Sequence, residues 1–315
     1  MAHSQSQAHS MGPVTYQLYT GTMTAVEVAR KFGGLIAARF RRHLADGRVP
    51  ADRRLFTAGA MLDGTPVGLA LASYPTAREP ATVHSLGVLP AHRGRALGRA
   101  LLAALERNVQ AAGAPALQAT YRSDLEHRAA LERLTATCGW GPPRAVRRLY
   151  RARREDVLGT PLLEAPPLPD GFELFAWSDL TLDEQAAIRQ RQDAATGAAH
   201  PTALDPFQLP DRLSTACSVG VRRDGHVVGW MMLHRLSDEV MQYTSLFVAP
   251  TFYRHRIARA LLTAALQRQI DRTDTTRGVW MVDLANAPIL RFIDRHLQAH
   301  VDTSADLLMV GKRLS

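Results

Sequence analysis

The sequence predicts an α/β (α+β) protein built as two domains of one kind in tandem, and three features carry that expectation. The run from Leu86 to Leu102 is an alternating apolar strand that stops at Pro90, a basic turn with Gly94 and Gly98, and the start of a helix. Residues 85–104 recur 160 positions later as residues 245–264, with nine of the twenty positions identical and no gap. Between the copies lies the stretch 157–171, whose Pro161, Pro166, Pro167 and Pro169 mark an interdomain linker. A repeat at domain-sized spacing points to duplication of a domain and not to a solenoid. With 315 residues, 46% of them hydrophobic, the chain can fill two cores of roughly 150 residues each.

In the first copy, residues 14–19 alternate as a strand, and residues 25–44 carry the apolar spacing of one or two helices. Residues 55–61 and 67–74 are apolar runs joined through Asp63-Gly64, the dipeptide of a tight hairpin turn. The motif strand and helix come next. Leu97, Ala100, Leu101, Ala104, Leu105 and Val109 share one helical face, so that helix should bury against a sheet. Residues 116–121 read as a strand, 126–137 as a helix and 146–152 as the strand that closes the first sheet. The second copy repeats this order: strand 172–177, helix 182–195, strands 218–222 and 227–233, and the repeated motif strand and helix. Strand 279–284, helix 287–297 and a closing strand at 307–310 follow. The resulting layout is a disordered polar tail at 1–12, a domain at 13–155, the linker at 156–171 and a second domain at 172–315. The tail lacks the apolar core of a signal peptide.

A helix that starts inside a glycine-bearing turn leaves amides unpaired, with the positive end of the helix dipole behind them. That arrangement suits a phosphate or pyrophosphate. Arg93, Arg95 and Arg99 add positive charge around it. The stretch resembles motif A of the GNAT acetyltransferase superfamily, V-x-P-x-x-[RQ]-x-x-G-x-[GA], on Val88, Pro90, Arg93 and Gly98, with Ala96 at the usual first glycine. Cys138-Gly139-Trp140 is similar to the family's later Leu-Gly-Phe turn. Asn286 opens a stretch resembling the helix before that turn, although Gln298-Ala299 stands where Gly-Phe is usual.

The resemblance implies two GNAT-like domains, each a mixed, mostly antiparallel central sheet flanked by helices. It implies acetyl-CoA as co-substrate and no metal. Its pyrophosphate would be gripped by the loop of Arg93, Gly94, Arg95, Ala96, Leu97, Gly98 and Arg99, and its pantetheine arm would pair with the strand at Leu86, Gly87 and Val88. Ala96 is unstrained in right-handed backbone but costs about 1 kcal/mol or more at positive φ. In the second copy Tyr253, Arg254, Arg256 and Ala258 replace Arg93, Gly94, Ala96 and Gly98. Their bulk crowds the space that phosphate oxygens would enter, so a degenerate cofactor site is expected there.

Direct transfer to an amine needs a base, donors that polarise the thioester and an acid for the leaving thiolate. His84 stands where the resemblance often places a glutamate, as a candidate base or as a strand histidine lining a cleft. The family's thiolate-protonating tyrosine maps onto Thr135 in the first copy and Asp294 in the second. Tyr121 is therefore weighed as a substitute acid against a packing role. Cys138 as an acyl-enzyme nucleophile has no His or Asp tied to it by any motif. The expected function is acetyl-CoA-dependent N-acetyl transfer to an unidentified small-molecule or peptide amine. A non-catalytic acyl-CoA-binding or sensor protein is the alternative.

No apolar run reaches the roughly 18 residues of a membrane span. Cys138 and Cys217 have no metal-ligand spacing and cannot build a disulfide framework, so a cytoplasmic protein is expected. Net charge is +9, but residues 1–155 hold 22 Lys and Arg against 10 Asp and Glu, while the remainder holds 16 against 19. The cluster Arg144, Arg147, Arg148, Arg151, Arg153 and Arg154 fits either a solvated face or an anionic partner. No nucleic-acid motif accompanies it, so nucleic acid ranks last among the partner classes. The oligomeric state is left open.

Overall fold

The computed structural model describes residues 5–11, 14–37, 40–41, 53–75, 79–164, 166–193, 204–253 and 256–314. The chain separates into two compact units, one made of residues 1–146 and 307–315 and the other of residues 147–306. Elements are numbered in chain order.

The first unit runs β1 (Gln5–Met11), β2 (Val14–Thr22), α1 (Ala25–Phe32), β3 (Arg53–Leu62), β4 (Thr65–Pro75), β5 (Ala81–Val88), α2 (Leu97–Ala111), β6 (Ala116–Arg122) and α3 (Arg128–Thr137). Local chemistry sets these boundaries. Thr24 and Glu27 form a capping box that starts α1, with Glu27 N donating to Thr24 Oγ1 at 3.3 Å and Thr24 N donating to Glu27 Oε2 at 2.8 Å. The β3–β4 hairpin turns through Asp63 and Gly64, both at positive φ as a two-residue turn of this hand requires. Strands β1 to β5 pair antiparallel, and the α2 crossover returns the chain so that β6 lies parallel to β5. Leu97, Leu101, Leu105 and Val109 of α2 are all buried in the main core of this unit. Each such side chain stabilises the fold by roughly 1.5–3 kcal/mol.

The segment 5–11, whose polar composition suggested a disordered tail, pairs along β2 as an edge strand. Ladder hydrogen bonds use backbone groups, so polar side chains do not forbid it. Residues 38–39 and 42–44 of the predicted helix lie outside the described residues.

The two closing strands are exchanged relative to the sequence expectation. Strand β7 (Arg144–Arg153), expected to close the first sheet, pairs antiparallel with β12 (Arg277–Asp283) from Arg147↔Asp283 to Arg153↔Arg277. Strand β13 (Thr303–Arg313), expected to close the second, pairs its residues Leu307 to Arg313 with Arg122 to Ala116 of β6. Lys312 Nζ reaches Glu106 Oε2 at 2.6 Å and the Cys138 carbonyl at 2.8 Å, and Gly141 N donates to Gly311 O at 2.9 Å. Removing residues 307–315 is therefore expected to loosen the first unit, although they lie at the far end of the chain. Hydrogen exchange in β6 measures it. A truncated chain whose β6 exchanges as slowly as the intact one would contradict the pairing.

The second unit continues with α4 (Arg154–Val157), β8 (Phe172–Ala176), α5 (Leu182–Asp193), β9 (Val219–Arg223), β10 (His226–Arg235), β11 (Val240–Val248), α6 (Ile257–Arg272), and α7 (Ala287–His296) after β12. Its strands repeat the first unit's order: antiparallel through β8, β9, β10 and β11, then parallel from β11 to β12. Residues 161–163 of the proline-rich linker are packed on α6. Arg259 Nη2, Thr263 Oγ1 and Gln267 Nε2 on α6 donate to the carbonyls of Pro161, Leu162 and Leu163 at 3.0, 2.7 and 2.8 Å. The arginine cluster is largely spoken for as well. Arg148 pairs with Asp306, Arg153 with Glu155 and Asp302, and Arg154 donates to the carbonyls of Ile270 and Thr273 at the end of α6.

One ion pair in this unit carries a pH dependence. Glu184 caps α5 through Thr181 and accepts from Arg222 Nε at 2.6 Å, both side chains being mostly buried. The Arg222 guanidinium, helped by Thr181, holds the Glu184 carboxyl at about 2 against its ordinary 4.5. A depressed carboxylate contributes stability that is complete above its unfolded value and is lost as pH falls through the folded one. The second unit should thus lose roughly 1–2 kcal/mol as pH falls from about 4.5 to about 2, solvent screening having reduced the full linkage. Urea unfolding across that range checks it, and Glu184→Gln should flatten the dependence.

Candidate active site

In the first unit, β5 and β6 pair only at Ala81↔Leu117, Thr82↔Gln118 and Val83↔Ala119, and then diverge. On its other side β5 stays paired with β4 as far as Gly68↔Val88. A bulge opposite Leu71/Ala72 leaves His84 as the extra residue at the mouth of the opening. The backbone of β5 beyond Val83 thus presents an edge that β6 does not use. Immediately after it, the chain makes one 3₁₀ turn (Pro90–His92) and enters the loop that starts α2.

That loop leaves a run of backbone amides open. Gly94 lies at φ 76°, Ala96 at φ 55° and ψ 7°, and α2 begins at Leu97. Ala100 donates to Ala96 O at 3.0 Å, and among the described residues no backbone acceptor takes the amides of 94–99. Successive amides left open in a turn with left-handed residues form a concave nest for phosphate oxygens. Ala96 sits in the strained conformation, at a cost of about 1 kcal/mol or more. In the second unit Arg256 holds the same place at φ 57° and ψ 14°. Both copies therefore keep a left-handed residue here without glycine. Ala96→Gly is expected to stabilise the first unit by roughly 0.5–1 kcal/mol, the relief of strain less the added freedom of the unfolded chain. Thermal unfolding measures it, and acetyl-CoA affinity should be unchanged.

In the second unit, β11 and β12 pair from Val240↔Arg277 to Tyr243↔Trp280 and diverge at the equivalent place. A cavity of about 630 Å³ occupies this region, lined by Gln242, Thr244 and Leu246 of β11, Trp280 and Val282 of β12, Leu262 and Leu266 of α6, and Ile289 and Phe292 of α7. Arg254 of its loop lies outside the described residues.

A family model described as Acetyltransferase (GNAT) family matches residues 23–139 and again residues 181–297. The chain belongs to the GNAT family. Among solved structures it is similar to a tandem GNAT protein from the clavulanic acid biosynthesis pathway, at 16% identity and a TM-score of 0.70, covering 95% of this chain and 99% of that one. It is also similar to a GCN5-related N-acetyltransferase from Sphaerobacter thermophilus, at 19% identity and a TM-score of 0.58, covering 99% and 96%. At these identities the likeness is one of fold. No curated protein sequence matches the chain significantly.

In this GNAT chain the three loop arginines divide their work. Arg93 Nε donates to Val88 O at 3.1 Å and its Nη1 lies 3.2 Å from His127 Nε2, so its guanidinium braces the loop. Arg95 Nη1 donates to Tyr16 Oη at 3.0 Å, and that oxygen lies 3.1 Å from His92 Nδ1, which ties the loop to β2. Arg99 is exposed and has no hydrogen bond or ion pair among the described residues, so it is the guanidinium open to an anion. Leu97 is a buried anchor, and Gly98 lets α2 approach α3, since a Cβ there would lie 3.2 Å from Leu134 Cδ2. Leu86, Gly87 and Val88 lie on the diverging part of β5.

His84 is held on two sides. Its Nε2 is 2.7 Å from Ser73 Oγ on β4, and its ring stacks on Phe40 at 3.9 Å between centroids and 7° between planes. Ser85 pins the neighbouring segment, accepting from Ala37 N at 3.1 Å and donating to Leu35 O at 3.0 Å. Sequence reasoning missed Ser73 and Phe40, since both lie outside the motif strand and reach His84 only through the fold. Tyr121 is buried and donates to Glu132 Oε1 at 3.1 Å. Burial and that carboxylate push its hydroxyl up to about 12, so its proton is held within the fold. Thr135 is buried and donates to the carbonyls of Leu131 and Glu132. Burial raises the Cys138 thiol, the wrong direction for a nucleophile. Among the described residues no His, Cys, Asp and Glu cluster could hold a metal ion, and no helix is long and apolar enough to cross a membrane.

Proposed function

We propose that the first unit is an acetyl-CoA-dependent N-acetyltransferase that transfers the acetyl group directly to the amine of a small molecule or peptide. The observation that carries this reading is the amide nest of residues 94–99, opening beside the edge of β5 that β6 leaves after Val83. The nest and Arg99 hold the diphosphate, and the β5 edge at Leu86, Gly87 and Val88 pairs with the amides of the pantetheine arm. His84, braced by Ser73 and Phe40, takes the amine proton, so the nitrogen lone pair attacks the thioester carbon. Tyr121 keeps a packing role, and the leaving thiolate takes its proton from solvent. The protein works in the cytoplasm and needs no metal.

A second reading, a non-catalytic acyl-CoA-binding or sensor protein, draws on Thr135 and Tyr121, neither of which offers a free acid. The two separate on a panel of amines incubated with acetyl-CoA, following thiol release and the mass of the product. Amine-dependent thiol release with a matching acetylated amine supports transfer. Saturable acetyl-CoA binding with no amine-dependent release supports the sensor.

A further inference from the structure

The two units carry the same hydroxyl–imidazole pair with its members exchanged. In the first, the bulge residue is His84 and Ser73 stands behind it on β4. In the second, the bulge opposite Met232/Leu233 leaves Thr244 as the extra residue, and His234 stands behind it on β10. His234 is 1% exposed, with Nε2 2.8 Å from the Gln208 carbonyl and Nδ1 2.7 Å from Thr244 Oγ1. A carbonyl only accepts, so Nε2 carries the proton and donates to it. In the neutral ring Nδ1 is then the acceptor, and the Thr244 hydroxyl must donate to it. Burial lowers the pKa of His234, which keeps the ring in that neutral form.

Thr244 also lines the 630 Å³ cavity. A hydroxyl on a cavity-lining residue, hydrogen-bonded to a buried imidazole that a third group orients, is the arrangement of an activated nucleophile. The cavity wall is apolar at Leu246, Leu262, Leu266, Ile289 and Phe292.

We infer that the second unit holds a separate acyl-transfer site in which Thr244 is the nucleophile and His234 its base, acting on acyl thioesters with an apolar acyl chain. The Thr244 Oγ lone pair forms a C–O bond to the acyl carbon while its proton passes to His234 Nδ1. The C–S bond breaks, and the thiolate leaves with that electron pair and recovers the proton from Nδ1. Water then cleaves the ester, returning the hydroxyl and releasing the acid. This site is independent of the amide nest in the first unit.

The test uses the intact protein and S-hexanoyl-N-acetylcysteamine, a thioester without a nucleotide, so that binding at the first unit's nest plays no part. Thiol release is followed together with mass mapping of a quenched digest. The expected result is a hexanoyl ester on Thr244, or sustained thiol release. Either should fall about 10-fold or more in Thr244→Val and survive in Thr244→Ser. Mapping the ester in the wild-type digest keeps the test valid if Thr244→Val does not fold. Neither ester nor release in the wild type, or equal activity in a folded Thr244→Val, would overturn the site.

Discussion

Gly94→Val is expected to weaken acetyl-CoA binding by about 10²-fold while leaving the fold in place. Gly94 lies at φ 76°, and a Cβ built there would meet nothing within 4 Å. The substitution therefore acts through the backbone and not through a clash. A β-branched residue is poorly accommodated at positive φ, so the loop must rotate out of the conformation that aims its amides inward. Losing aligned donors to a diphosphate costs roughly 1.5–3 kcal/mol for each charge-assisted hydrogen bond, and two lost bonds account for the expected change. Gly98 is the poorer probe, because added bulk there meets Leu134 and disturbs α3. Titration calorimetry with unchanged affinity for Gly94→Val would remove the nest from the site.

The second large effect concerns turnover. His84→Ala is expected to lower kcat/KM for the amine by roughly 10²-fold or more, with acetyl-CoA affinity nearly unchanged. The imidazole touches Ser73 and Phe40, whereas the cofactor arm is assigned to the strand backbone. Ser73→Ala should reproduce part of the loss by releasing the ring, so it belongs to positioning. Comparing kcat with the acetyl-CoA KM separates the two roles. A His84→Ala enzyme with normal turnover would leave the proton to water.

The parts legible in the sequence are those fixed by neighbours along the chain. Asp63-Gly64 gave away its hairpin, the apolar face of 97–109 its burial, and the spacing from Val88 to Gly98 the loop that starts a helix. The family model's two matches bear out the tandem reading. What stayed hidden depends on partners far along the chain. β7 and β13 both read as closing strands, but periodicity defines a strand and not its neighbour, so their exchange could not be seen. Ala96 read as a departure from the motif, yet its backbone keeps the left-handed turn, because the loop on either side dictates φ. The His234–Thr244 pair left a faint signal, since Thr244 lies 160 residues after His84 on the repeated strand. Nothing in the sequence showed that their roles as imidazole and hydroxyl had changed sides.

Hydrogen–deuterium exchange of the intact protein with and without saturating acetyl-CoA tests the cofactor nest most directly. The amides of residues 94–99 have no backbone acceptor among the described residues, so they should exchange quickly in the free protein. Acetyl-CoA should slow exchange across residues 94–99 and along β5 at 86–88. Unchanged exchange there at saturation, or protection confined to residues 256–259 of the second unit, would contradict it.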